Sequence, residues 1–315
     1  PDGRAAQLLH AFRTRFDDIR FHLEVHPASL GPRFREEIRN AVPGQLHLEA
    51  GVQTLEPEAL RLMDRDFDTA KTLDGLEFLC GVSAVAVHTD IIAGCPGQTA
   101  AGIFRDLRRL MALRPAELQM EIMKMLHGTP LRRRAWECGI RFSPLSPYDV
   151  IATPSLSAED ILRMRLLSRM VDCWYNSPEL QAPFAAMVES SEGFLEEFLN
   201  FAALKYAFDA GPAPALRHRF LWLHEYMEAN SAPEAAREAL ALQWLRCAFP
   251  AGEGPAAKAE NSRGIPAEAE FISGTPCTGR SGIRSVRVPL AAGGCIYLAY
   301  DRGIAPNRAT AEYML

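Results

Sequence analysis

The chain has 315 residues, of which 48% are apolar and 23% are charged, a composition typical of a soluble globular protein with about two domains. The net charge is −5 and no basic patch stands out, which argues against nucleic acid as a main partner. No apolar run approaches the roughly 18 residues of a membrane span, and nothing at the N-terminus has the layout of a signal peptide. We therefore expect a cytoplasmic protein that acts away from the membrane.

The first 142 residues alternate between strand and helix periodicities. The predicted strands are Arg20–Val25, Leu46–Ala50, Ser83–Ile92 and Leu118–Met125, and the predicted helices are Ala5–Phe16, Phe34–Val42, one that begins at Pro57, Leu73–Cys80, Ala101–Leu113 and Leu131–Glu137. Strands that alternate with helices predict βα units and a parallel sheet. Because the opening helix would have to follow a strand outside this chain, we expect the last four βα units of a six-unit, TIM-like barrel over residues 1–142, an incomplete α/β fold.

The character of the sequence changes after residue 142. A Pro- and Ser-rich stretch from Ser143 reads as a linker or wrapping loop, and helical patterns follow from Ser157, so residues 143–250 are predicted to form an all-α domain. Residues 251–315 are predicted to hold a flexible segment and a small β-containing tail. Its expected strands are Glu270–Ile272, Ser285–Pro289 and Cys295–Asp301.

The stretch LHLEAGVQTLEPEALRLMDR, residues 46–65, contains a strand, a polar loop and a helix. Gly51 suits a sharp turn at the end of the strand, and Pro57 suits a first helical position. The loop between them carries Gln53 and Thr54. In a β/α barrel such loops lie at the C-terminal rim, where active sites are built.

Three predicted strands each contain a histidine followed two residues later by a carboxylate. The pairs are His22 with Glu24, His47 with Glu49, and His88 with Asp90. Residues two apart on a strand point to the same face, and buried charges are costly without partners. These residues therefore predict either a polar ligand site, a divalent metal site that activates water, or a set of internal ion pairs.

The motifs around these strands resemble the radical S-adenosylmethionine (SAM) superfamily. GVQ, followed by Arg65 twelve residues after Gln53, resembles the ribose-binding strand of that superfamily. The run DIIAGCPGQT, which begins at Asp90, is similar to its D-L-I-x-G-x-P-x-Q/E-T segment. By motif the nearest groups are oxygen-independent coproporphyrinogen oxidases and the methylthiotransferase and Elongator-type enzymes.

The resemblance implies SAM as the ligand and assigns roles to six residues. Glu24 corresponds to the acid of the E-x-x-P strand beside SAM, and Gln53 and Asp90 correspond to polar contacts near the ribose or the methionine part. Arg65 corresponds to the arginine that pairs with the methionine carboxylate, since a guanidinium fork matches a carboxylate. The backbone around Gly94 and the side chain of Ile92 would pack against the adenine. No catalytic residue and no metal ligand is assigned in this chain.

The chain departs from the superfamily in its cysteines. A [4Fe–4S] cluster requires CxxxCxxC, and the seven cysteines are far apart without that spacing; the glycine-rich SAM motif is also absent. We therefore expect a C-terminal portion of a larger enzyme whose missing N-terminal part holds the cluster. That parent would cleave SAM reductively, with an electron donor and a small-molecule or unknown substrate, and this chain would supply part of the SAM pocket and a substrate domain. SPYDVIATPSLSAEDILR and WYNSPEL resemble a subgroup with cobalamin, which implies cobalamin-dependent methyl transfer.

Two other functions remain open at this stage. The first is a metal-dependent TIM-barrel hydrolase that uses the His-x-acid pairs, although this leaves GVQ and DIIAGCPGQT without a role. The second is a non-catalytic interaction module with a degenerate barrel. This chain alone is expected to be inactive in either the radical SAM or the interaction-module interpretation.

Overall fold

A four-stranded parallel sheet organises the first part of the chain in the computed structural model, which describes residues 2–16, 18–65, 68–275, 283–300 and 308–315. The strands are β1 (Phe21–Val25), β2 (Leu46–Gln53), β3 (Val85–Ala93) and β4 (Glu117–Ile122), in the spatial order β1-β2-β3-β4. The helices among them are α1 (Asp2–Arg15), α2 (Pro32–Arg39), α3 (Pro57–Leu62), α4 (Thr69–Cys80), α5 (Ala100–Ala112) and α6 (Pro130–Arg133). The predicted succession of βα units with a parallel sheet is confirmed.

The sheet is amphipathic because alternate residues point to opposite faces. On β2, Leu46, Leu48 and Ala50 are buried, while His47 and Glu49 on the other face are partly exposed. The helix α5 buries a stripe at helical spacing, with Ile103, Leu107, Leu110 and Met111 inaccessible to solvent. Burial of each such side chain contributes roughly 1.5–3 kcal/mol, so the apolar face of the sheet is the core of this part of the chain.

The segment predicted as a linker contains regular structure. The short strands β5 (Arg141–Phe142) and β6 (Val150–Ala152) pair in antiparallel fashion, and the amide of Val150 donates to the Met123 carbonyl at 2.9 Å. The helix α7 (Ala158–Met170) begins with the predicted capping box, in which the Ser157 hydroxyl accepts from the Asp160 amide at 3.1 Å. Of these elements only β6 lies in the stretch from Ser143 that was interpreted as a linker or wrapping loop, and its bond to Met123 agrees with the wrapping-loop alternative. The helix from Ser157 was predicted.

The chain divides into two compact units, Pro1–Asp172 and Cys173–Leu315. The predicted domain divisions at 142/143 and 250/251 do not coincide with this division and stay predictions. None of the helices in the described part of the chain is both long and apolar enough to cross a membrane.

The second unit contains helices and a five-stranded antiparallel sheet. Helical and β-containing parts were both predicted for this region. The helices are α8 (Gln181–Ser190), α9 (Phe194–Tyr206), α10 (Leu216–Ala229) and α11 (Glu234–Arg246). The strands are β7 (Glu260–Arg263), β8 (Glu270–Gly274), β9 (Arg284–Pro289), β10 (Cys295–Tyr300) and β11 (Ala311–Met314), in the order β7-β9-β10-β11-β8. Sequence patterning found β8, β9 and β10 and missed α8, β7 and β11; the predicted end of β10 at Asp301 lies outside the described residues.

An aromatic cluster forms the core of the helices in this unit. Trp174 and Phe198 meet edge-to-face with ring centroids 5.1 Å apart, and Phe194 and Tyr226 pack beside them. The indole nitrogen of Trp174 donates to the Arg219 carbonyl at 3.1 Å, so its one polar atom is satisfied.

Candidate functional site

The face of the parallel sheet opposite the apolar core is lined by polar side chains, and we call it the polar face. It comprises His22, Glu24, His47, Glu49, Gly51, His88, Asp90, Ile92, Glu117, Gln119 and Glu121. Strand register places Glu24 beside Glu49, Glu49 beside His88, and His88 beside Glu117. The three predicted His-x-acid pairs therefore share one face, and β4 adds further acids that the sequence analysis did not single out.

Three of the six predicted SAM-contacting residues are joined by hydrogen bonds at the carboxyl ends of β2 and β3. The side-chain amide of Gln53 donates to Asp90 Oδ2 at 3.0 Å, and Arg65 donates to Gln53 Oε1. The second carboxylate oxygen of Asp90 accepts from the Val52 amide at 3.1 Å. We call Gln53, Arg65 and Asp90 the rim group.

The backbone at the end of β2 is shaped for this arrangement. The register of β2 against β3 is irregular between Gly51 and Gln53, and Gln53 has a positive φ of 62°. A Cβ atom at Gly51 would lie 2.9 Å from Gln53 Nε2. Glycine at this position therefore leaves the space into which the Gln53 amide turns back towards Asp90.

Arg65 returns to the sheet through a tight turn after α3. Asp64 has a positive φ of 56°, and the Arg65 amide donates to the Leu60 carbonyl at 2.8 Å. The charge of Arg65 is felt by His26, which follows β1: burial, and then this charge, lowers the pKa of His26. The guanidinium of Arg65 thus donates a hydrogen bond to Gln53 at the end of β2 and lowers the pKa of His26, which follows β1.

A buried carboxylate on α5 anchors the loop that follows Gln53. Asp106 Oδ2 accepts from the Thr54 hydroxyl at 2.9 Å and from the Leu55 amide at 2.8 Å. Burial raises the pKa of Asp106, and these two hydrogen bonds oppose the rise. Sequence reasoning missed Asp106, because nothing in the local pattern of α5 distinguishes a buried acid from a surface one.

The loop after β3 is held by its own side chains. Gln98 is fully buried; its amide donates to the Ile92 carbonyl at 2.9 Å, and its oxygen accepts from the Cys95 amide at 2.9 Å. Gly94 has a φ of +94°, a conformation that other residues rarely adopt. The Thr99 hydroxyl caps α5 by accepting from the Gly102 amide at 3.1 Å.

The remaining predicted residues are not part of the rim group. Ile92 lies two residues beyond Asp90 on the polar face and is half-buried, while its carbonyl is taken by Gln98. Glu24 is an exposed residue on β1, next to Glu49 in register. The structure thus brings together Gln53, Arg65 and Asp90, and places Glu24 on another strand of the same face.

Histidines cluster further back along the polar face. His22 Nε2 lies 2.9 Å from Glu49 Oε2, and the ring centroids of His22 and His47 are 4.7 Å apart. His47, His88 and Glu117 offer ligand atoms that lie within 4.8 Å of one another. Burial, reinforced by the neighbouring imidazoles of His22 and His88, lowers the pKa of His47, while Glu117 and Glu49 oppose this.

Burial makes some of the described cysteine thiols weaker acids than free cysteine. Burial raises the pKa of Cys80 to about 11 and that of Cys95 to about 12. Cys277 lies outside the described residues.

Comparison with known proteins gives partial matches. A family model described as a protein of unknown function (DUF4080) matches residues 136–252, less than half of the chain. The search of curated proteins returns no match.

Similar solved structures are radical SAM enzymes, the superfamily that the motifs of this chain resemble. Coproporphyrinogen III oxidase (HemN) from Escherichia coli is 18% identical over 59% of this chain, with a TM-score of 0.41. The radical SAM methyltransferase TsrM from Kitasatospora setae, with tryptophan and a SAM analogue bound, is 14% identical over 46% of this chain, with a TM-score of 0.37. TsrM with cobalamin and a [4Fe-4S] cluster bound is 16% identical, also over 46% of this chain and with a TM-score of 0.37.

The matched part is less than half of each of those structures: 43% of HemN and 29% and 28% of the two TsrM structures. The TM-scores, all under one half, describe a partial overlap of folds. No functional conclusion follows from them alone.

Proposed function

We propose that this chain contributes part of the SAM pocket of a radical SAM enzyme. The observation that carries the proposal is the rim group, in which Gln53, Arg65 and Asp90 are joined by hydrogen bonds at the carboxyl ends of two adjacent parallel strands. Ligands of open parallel sheets and of barrels bind at that edge. The same three residues are those that the motif resemblance assigns to SAM.

The chemistry of the rim group suits a ligand with a carboxylate and hydroxyl groups. A guanidinium carries five N–H donors, so the bond from Arg65 to Gln53 does not exhaust its capacity, and a planar fork can hold a carboxylate in two bonds. Asp90 and Gln53 present oxygen acceptors and an amide donor for hydroxyl groups. Arg65 would hold the methionine carboxylate, and Asp90 and Gln53 would contact the ribose or the methionine part.

Glu24, Ile92 and Gly94 have supporting roles in this proposal. Glu24 presents a carboxylate on the polar face, and Ile92 offers an apolar side chain near Asp90 against which the adenine would pack. Gly94 gives the loop its backbone conformation. SAM, when bound beside a reduced cluster, supplies a carbon radical or, with cobalamin, a methyl group.

The cluster and the other partners belong to the proposed complete protein. The chain has no CxxxCxxC. We propose that the cluster ligands, any cobalamin site and the docking site of the electron donor are supplied by residues outside these 315. The helices of the second unit would bind a small-molecule or other substrate, and this chain alone would be inactive.

The test is SAM affinity in the complete, cluster-reconstituted protein, measured by calorimetry for Arg65→Ala, Arg65→Lys and Asp90→Asn. Loss of a hydrogen bond to a charged group costs about 1.5–3 kcal/mol, so Arg65→Ala should weaken binding roughly ten- to a hundredfold. Lysine should restore only part of the affinity because it lacks the fork. Asp90→Asn should weaken SAM binding with little loss of folding.

The matched control is Arg61→Ala. Arg61 lies on α3 and pairs with Glu58 at its exposed surface, and such surface pairs contribute about 0–1 kcal/mol. Equal SAM affinity in Arg65→Ala, Arg61→Ala and the unmodified protein would refute the proposal. Melting temperatures of the same variants separate loss of binding from loss of folding.

A further inference from the structure

A second cluster of polar groups lies on the polar face, behind the rim group. His47 on β2, His88 on β3 and Glu117 at the start of β4 occupy three adjacent strands. His88 precedes Asp90 by two residues, a rise of about 6.6 Å along a parallel strand. The cluster is therefore next to the rim group and shares none of its residues.

The spacing of this cluster is close to that of a metal site. The ligand atoms of His47, His88 and Glu117 lie within 4.8 Å of one another. Zinc–nitrogen bonds of about 2.0–2.1 Å in a tetrahedral site put neighbouring ligand atoms about 3.3 Å apart. The three groups must therefore approach by about 1.5 Å or less, and Glu117 is an exposed residue at the start of β4.

His88 carries an unsatisfied polar atom at this place. Its Nε2 is shielded from solvent and has no hydrogen-bond partner among the residues that the structure describes. A shielded polar atom without a partner costs free energy, and a bound cation would remove that cost. His88 is a half-buried residue held on a regular strand between Glu49 and Glu117.

A further carboxylate lies beside the histidine cluster on the polar face. Glu49, next to His88 in register, is held by His22 Nε2 at 2.9 Å. Glu49 is therefore paired with His22 and is not one of the three proposed ligands.

We propose that His47, His88 and Glu117 form a binding site for one divalent transition-metal ion of the zinc type. Two imidazoles and one carboxylate suit zinc and the neighbouring first-row ions better than magnesium or calcium. Three protein ligands leave a coordination position for water or for a group of the substrate. The radical SAM interpretation of the sequence assigned no metal ligand in this chain, whereas the alternative of a divalent metal site included His47 and His88 but not Glu117. The inference does not depend on SAM binding.

The experiment is a titration of the metal-stripped chain with Zn²⁺ in competition with a chromophoric chelator. One equivalent should bind to the unmodified chain, and His47→Ala and His88→Ala should each weaken binding at least tenfold, about 1.4 kcal/mol. Glu117→Gln should weaken it less, because an amide oxygen is a poorer ligand than a carboxylate. Co²⁺ should give the intense visible bands of a four-coordinate site in the unmodified chain and lose them in both histidine variants.

The matched control is His127→Ala. His127 lies after the carboxyl end of β4 and packs edge-on against Tyr148, away from the start of that strand. Circular dichroism and melting temperatures without metal establish that each variant folds. If a histidine variant does not fold, the Zn²⁺ affinity of a normally folded Glu117→Gln variant still tests the proposal. Zinc bound equally by the double variant His47→Ala/His88→Ala, or lost equally in His127→Ala, would overturn the proposal. SAM titration of Arg65 variants reports on the rim group separately.

Discussion

Replacement of Asp106 tests how the loop that carries the rim group is held in place. One carboxylate oxygen of Asp106 accepts both the Thr54 hydroxyl and the Leu55 amide, and the residue is 1% exposed. Asp106→Leu removes the acceptor and leaves both donors without a partner. Asp106→Asn keeps a carbonyl oxygen that can occupy the same position.

The size of the effect follows from the number of donors left unpaired. A buried donor that loses its partner costs about 1–3 kcal/mol, so Asp106→Leu should lower the free energy of unfolding of its unit by about 2–6 kcal/mol. That is a large part of the roughly 5–15 kcal/mol that stabilises a typical domain. Asp106→Asn exchanges charge-assisted bonds for neutral ones and also removes a buried charge, so it should cost markedly less.

The assay is urea unfolding followed by circular dichroism, together with hydrogen exchange at the Leu55 amide. Exchange at Leu55 should accelerate strongly in Asp106→Leu and modestly in Asp106→Asn. Asp74→Asn is the control, since Asp74 is exposed and pairs with Arg35 at the surface. If Asp106→Leu changed neither the unfolding midpoint nor Leu55 exchange more than Asp74→Asn does, the anchoring role of Asp106 would be wrong.

Three further results are expected. Gly51→Ala should displace the Gln53 amide from Asp90, because the new Cβ would lie 2.9 Å from Gln53 Nε2. The side-chain amide resonance of Gln53 should then shift with little loss of stability. An unchanged resonance would contradict this prediction. Ser157→Ala should destabilise α7 by about 1 kcal/mol through loss of the capping box, measured as a lower urea midpoint. Because burial raises the pKa of Asp106, the folded state holds that proton more tightly than the unfolded chain. The free energy of unfolding should therefore fall as the pH rises from the ordinary aspartate range through the raised pKa, and Asp106→Asn should remove that slope; equal slopes would refute the assignment.

The sequence by itself determined the βα succession and the contents of each loop. Strand alternation at β2 and β3, the proline at the start of α3 and the capping box of Ser157 are local signals, readable within a few residues. They were sufficient to predict a parallel sheet with polar loops at its carboxyl edge. The twelve-residue interval from Gln53 to Arg65 was also readable, and the structure joins these two residues.

Other features depended on contacts between residues far apart in the chain. Thr54 and Asp106 are 52 residues apart, and nothing near either one indicates the other. β7 and β11 lack a clear apolar alternation, and the pairing partners of each strand define them as parts of a sheet. β6 lies in the Pro- and Ser-rich stretch, and its bond from the Val150 amide to the Met123 carbonyl cannot be inferred from that composition.

The histidine cluster was likewise predictable only in part from the sequence. Periodicity placed His47 and His88 on one face of their strands, because side chains alternate along any strand. It did not place them beside Glu117, because the offset between neighbouring strands is set by hydrogen bonds across the sheet and by packing of the apolar face. The sequence therefore determined which side chains face away from the core, and only the tertiary structure decided which of them meet.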